Sequence, residues 1–156
     1  MERTLHQCLP ADDRAPSCAR RRLKQWLASY GWPADNVDDL VIATNEAVAN
    51  AVEHAYPGGP DRLRRAGERT DEADAAAISL DACVEQADEG AHRVVITVRD
   101  GGRWQPPKCD RGLRGRGLIM MRVLTESVAF SMSSAGTQVT MVGRPARLRS
   151  GSSPWR

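Results

Sequence analysis

Residues 46–55 read Glu46-Ala47-Val48-Ala49-Asn50-Ala51-Val52-Glu53-His54-Ala55, and their periodicity is that of an amphipathic helix. The surrounding spacing predicts a helix over residues 35–55. Asp35 can cap its start, Asp38 and Asp39 suit the positive end of its dipole, and Pro57-Gly58-Gly59-Pro60 ends it. With Leu40 as zero and about 100° per residue, Ala47, Val48, Ala51 and Ala55 fall on one buried arc. Glu46, Asn50 and His54 fall at roughly −120°, −80° and −40°, a polar line along the edge of that arc. A carboxylate one turn from a carboxamide offers a proton acceptor beside a neutral oxygen ligand for Mg²⁺. Taken alone, the same line fits the polar flank of any surface helix.

Upstream, residues 4–9 suit a short strand of weak alternation. Ala19, Leu23, Trp26, Leu27 and Tyr30 have helical spacing over residues 17–30, and Gly31 is placed to stop that helix. Downstream, residues 57–75 are polar, rich in Gly, Arg and acids, and read as a surface insertion. Ile78, Leu80, Ala82 and Val84, then Val94, Ile96 and Val98, alternate as two half-buried strands, joined through Gly90 into a hairpin. A loop over 101–116 leads to an apolar helix at 118–125. Strands around Val128, Phe130 and Met132 and over 137–142 follow, joined by Ser134-Ala135-Gly136. The segment 144–156 is expected to be a disordered tail. The pattern predicts an α+β two-layer sandwich over residues 1–143, with helices on one face of a mostly antiparallel sheet.

The composition narrows the function classes. In 156 residues, 22 Lys and Arg face 20 Asp and Glu, a net charge of +2, which lacks the cationic excess of a dedicated nucleic-acid binder. Arg20-Arg21-Arg22-Lys24 and the arginines at 144, 147, 149 and 156 read as solvated surface without stacking aromatics. Aromatic residues make up 4%, so the core is expected to be mostly Val, Leu, Ala and Ile. No apolar run reaches the ~18–20 residues of a membrane span, and the first residues show no signal-peptide pattern. Cys8, Cys18, Cys83 and Cys109 form no C-x-x-C pair, as expected of reduced thiols in a cytoplasmic protein. The near-neutral total conceals local charge: residues 35–55 carry −5, residues 103–122 carry +5.

Three further segments carry candidate chemistry. Asp100-Gly101-Gly102 leaves a strand, presenting a carboxylate beside glycines that admit a flat ring. Gly112-Leu113-Arg114-Gly115-Arg116-Gly117-Leu118 precedes a helix, where unpaired N–H groups can hold phosphate, and Lys108, Arg111, Arg114 and Arg116 add cations. Gly136-Thr137-Gln138-Val139 is a turn running into a strand. Each is unspecific alone.

In this order the four segments resemble the boxes of the GHKL ATPase superfamily. The E-x-x-x-N-A-x-x-H-A form of residues 46–55 is similar to anti-sigma serine kinases of the RsbW/SpoIIAB type. The resemblance spans about residues 4–142 and implies a Bergerat fold binding ATP and Mg²⁺. It implies Glu46 as general base and Asn50 as metal ligand, with Asp100 on the adenine amine, Gly102 beneath the ring and Thr137 supporting that contact. Arg114, Gly115, Arg116 and Gly117 would hold phosphates, and His54 would line the pocket. The implied partners are a sigma factor and a STAS-domain anti-anti-sigma protein, with homodimerisation also common among such kinases. Two features depart from the pattern: Trp104 stands where the first glycine box ends in Gly, and Pro106-Pro107 stiffens a short lid. The expected function is a protein serine/threonine kinase and anti-sigma factor. The alternative is a non-catalytic ATP-binding module that sequesters a sigma factor or other regulator.

Overall fold

Buried side chains recur at every second position through the middle of Ala77–Gln86 (β2) and His92–Asp100 (β3), and this alternation makes them the centre of the sheet. The structure, a computed structural model, describes residues 4–55, 77–102 and 116–149. Around the central pair lie β1 (Thr4–Pro10), β4 (Ser127–Ser133) and β5 (Gly136–Val142). The helices are α1 (Ala15–Ser29), α2 (Ala34–Ala55) and α3 (Arg116–Leu124). All pairings in the five-stranded sheet are antiparallel, in the order β1-β2-β3-β5-β4. The expected α+β sandwich is therefore the observed one.

The inward face of the sheet carries Leu5, Leu9, Ile78, Leu80, Val94, Ile96, Val98, Val139 and Met141, all buried. Against them α1 turns Ala15, Ala19, Leu23 and Leu27, one residue per turn. Helix α2 turns in Leu40, Ala43, Ala47, Val48 and Ala51; its alanines keep that face narrow where it packs on α1, β3, β5 and α3. The core is mostly aliphatic as expected, with Tyr30 and Trp32 its buried rings; the single Phe, Phe130, lies outside it. The other sheet face is polar. There His6 bonds the Asp81 carboxylate, Arg99 donates to Asp81 and to Gln138, and Gln138 donates to Thr140. On this face burial, then the charge of Glu85, push the Cys83 thiol up.

Helix α1 ends as its sequence indicates. Gly31 takes φ 70°, and the N–H groups of Gly31 and Trp32 return to the carbonyls of Ala28 and Leu27, a left-handed cap that satisfies orphan carbonyls. Other boundaries differ from expectation. Helix α2 begins at Ala34, so Asp35 sits in its first turn and does not cap it. Helix α3 begins at Arg116, two residues early, and takes Gly117 into the helix.

The expected tail is corrected over its first residues. Ala146 is buried and pairs with His92 through two backbone hydrogen bonds of 2.8 Å. Leu148 packs against the core, Arg144 pairs with Asp39, and the Arg149 N–H donates to the Gly31 carbonyl. These are long-range partners that no local pattern announces. Truncation after Gly143 should therefore cost about 2–3 kcal/mol, read as a fall in melting temperature of roughly 5–10 °C; a tail outside the fold would leave it unchanged.

Candidate active site

Glu46 and Asn50 stand one turn apart on α2, both half-buried. What faces them is Gly117, in the first turn of α3. A Cβ built there would lie 2.9 Å from Glu46 Oε2 and 3.4 and 3.6 Å from Asn50 Nδ2 and Oδ1. The glycine therefore lets α3 deliver its N-terminal end directly onto the polar flank of α2. First-turn N–H groups of a helix have no acceptor within the helix. That end combines backbone donors, the positive pole of a helix dipole, a carboxylate and a carboxamide, a set suited to a polyanion and a hard cation. From the other side, Arg20 on α1 donates to the side chain of Asn45, the neighbour of Glu46.

A second cluster forms where β3 ends. The Asp100 Oδ1 accepts a 3.1 Å hydrogen bond from the Gly102 N–H, so the carboxylate folds back over the following turn. In the antiparallel register Asp100 lies opposite Thr137 at the start of β5. Gly136, at φ 128°, lies hard against it: a Cβ there would be 1.8 Å from the Asp100 carbonyl oxygen. Gly102 is buried and Thr137 half-buried. Strand pairing thus brings together two segments separated by more than thirty residues, and α2 packs on both strands. The result is a carboxylate acceptor beside a side-chain-free turn, able to receive an amine on a flat heterocycle.

Of the expected site residues, Glu46, Asn50 and Gly117 form the first cluster, and Asp100, Gly102 and Thr137 the second. Arg116 opens α3 and is exposed. Arg114, Gly115, Trp104, Pro106-Pro107, Cys109 and the 57–75 insertion lie outside the described residues. His54 lies in the last turn of α2, with its side chain outside them. Gly136 belongs to the glycine-threonine segment that the resemblance already placed at the site, and the structure adds its close approach to Asp100. One contributor escaped the sequence. Arg20 belonged to a basic cluster, and nothing local ties it to Asn45. Lys24, of the same cluster, reaches Asp38 at 3.4 Å, so two of those four cations are engaged with α2.

A helix flank meeting a glycine-opened helix, and an Asp-Gly-Gly strand end paired with a glycine-threonine strand start, are groups suited to a nucleotide. Residues 9–142 match the histidine kinase-like ATPase domain, and the chain belongs to that family. A solved relative is the crystal structure of the RsbU and RsbW domains of Rv1364c from Mycobacterium tuberculosis. It is similar over 94% of this chain, with 25% sequence identity and a TM-score of 0.60. This chain spans 34% of that longer one. Because Gly136 combines a positive φ with a closed approach, Gly136→Ala is expected to destabilise by about 2–4 kcal/mol, measured by urea unfolding; an unchanged midpoint would contradict the packing at Asp100.

Proposed function

We propose that the chain is an ATP-dependent protein serine/threonine kinase and anti-sigma regulator. It would phosphorylate a STAS-domain anti-anti-sigma partner in the cytoplasm and hold a sigma factor in the alternative complex. The observation that carries this is the meeting of Glu46 and Asn50 with Gly117 at the start of α3. A pocket that only retained nucleotide would not require a carboxylate at the phosphate-binding end.

In this reading Asp100 accepts the adenine amine, Gly102 leaves room for the ring, and Thr137 backs that contact. Gly117 brings the first-turn N–H groups of α3 to the phosphates, with Arg116 of that turn, Arg114 and Gly115 of the preceding segment, and His54 at the wall. Mg²⁺ favours few protein oxygens, completing its shell with water and substrate phosphates. The Asn50 carboxamide beside Glu46 fits that demand, so Asn50 would hold the ion. When bound, the ion supplies neutralisation of phosphate charge.

Glu46 receives the proton of the partner's Ser or Thr hydroxyl as that oxygen bonds to the γ-phosphorus. The bond from phosphorus to the β,γ-bridging oxygen breaks and ADP leaves. Helix-end donors and arginines offset charge on the transferring group, so positioning and electrostatics carry the reaction. The sequestering alternative uses the same pocket without transfer.

Purified chain with Mg²⁺ and γ-labelled ATP, offered candidate STAS proteins, distinguishes the two. Label on a partner Ser or Thr is expected, falling at least about 100-fold in Glu46→Ala while ATP affinity stays within a few-fold. Equal labelling by the variant would remove Glu46 from the base role; saturable ATP binding with no label on any partner would support sequestration.

A further inference from the structure

Six large apolar side chains are exposed among the described residues, and three of them, Ile119, Met120 and Val123, share the nine-residue helix α3. Ile119 and Val123 are 61% and 57% exposed. Core packing does not use them, since α3 turns Gly117 and Met121 inward. Helix propensity does not explain them either: β-branched residues are poorer helix formers than the Lys or Glu that a merely solvated face would favour. Ile119 and Val123 lie one turn apart, with Met120 beside them. Arg116 sits one turn before this stripe and Arg122 one turn after Ile119. Both arginines are exposed, and neither forms an ion pair among the described residues. Phe130 and Met132 are also exposed, on the helix-side face of edge strand β4, which α3 touches.

The occupant follows from size and charge. Three side chains on one short helix make a footprint far below the ~800 Å² per partner of a standard globular interface. They suit a single helix laid in a shallow seat. A second copy of the chain would meet the same surface by symmetry, setting Arg116 and Arg122 against their own copies. Cations bordering an apolar stripe instead complement carboxylates bordering one.

We propose that the outer face of α3 is a docking surface for a protein partner that presents an acidic amphipathic helix. Its apolar stripe covers Ile119, Met120 and Val123, and its flanking Asp or Glu side chains pair with Arg122. The assignment does not depend on phosphoryl transfer.

The test uses a fluorescein-labelled synthetic helix with Leu at i, i+3, i+4 and i+7 and Glu on both flanks, followed by anisotropy, and its Lys-flanked counterpart. Saturable binding of the Glu peptide is expected, weakening with salt. It should fall at least about tenfold in the Ile119→Ser/Val123→Ser double variant, while thermal melting and ATP binding stay unchanged. Arg122→Glu should lose the Glu peptide and gain the Lys peptide. Absence of peptide binding, or equal binding by wild type and variants, would overturn the proposal. So would cosedimentation with phosphatidylserine vesicles in place of peptide binding, which would make the face a membrane contact. Self-association of the wild type that the double variant abolishes would assign the face to a second copy instead.

Discussion

Gly117 has no side chain, and α2 uses the space. With a Cβ at this position standing 2.9 Å from the Glu46 carboxylate, any other residue would turn the end of the Glu46 side chain away. The close approach places the N-terminal donors of α3 against a stretch of α2 that carries both a carboxylate and a carboxamide. Helix α2 in turn packs on β3 and β5, the strands whose ends hold Asp100 and Thr137. Glycine is a poor helix former, costing ~1 kcal/mol relative to alanine, and its presence inside α3 marks a position where proximity outweighs propensity.

The fold supplies rigidity with small aliphatic residues. Leu, Ile, Val and Ala fill the interface between helices and sheet, while the large rings Tyr30 and Trp32 are buried where α1 gives way to α2. Both sides of the sheet are put to use. The inward face makes the core, and on the outward face a chain of side-chain bonds runs from His6 through Asp81 and Arg99 to Gln138, linking four strands across the sheet. Arg99 and Gln138 are sequence neighbours of Asp100 and Thr137, so the outer ladder braces the same strand ends that build the second half of the site.

Much of this was legible in residue order. The placing of Glu46 and Asn50 on one helix flank, the alternation of β2 and β3, and the Gly31 stop all follow from local periodicity and backbone preference. Less legible were features decided by distant partners. The helix start at Arg116 was misplaced because a glycine normally marks a boundary, whereas here it marks a contact. Residues 144–149 carry no periodicity, yet their order comes from His92 and Gly31, far away in sequence. Strand β1 alternated weakly because the polar Gln7 occupies an inward position between Leu5 and Leu9.

By itself, then, the order of residues determined the class of element at nearly every described position, the aliphatic nature of the core, and which side chains were chemically fit to act. Those properties depend on spacing along the chain, which helix and strand geometry convert directly into faces. Only the tertiary structure decided that Gly117 opens α3 against Glu46 and Asn50, and that Gly136 lets β5 close on Asp100. It also decided that Ile119, Met120 and Val123 remain outside the core. Each of these depends on the distance between segments remote in sequence, and such distances are set by packing.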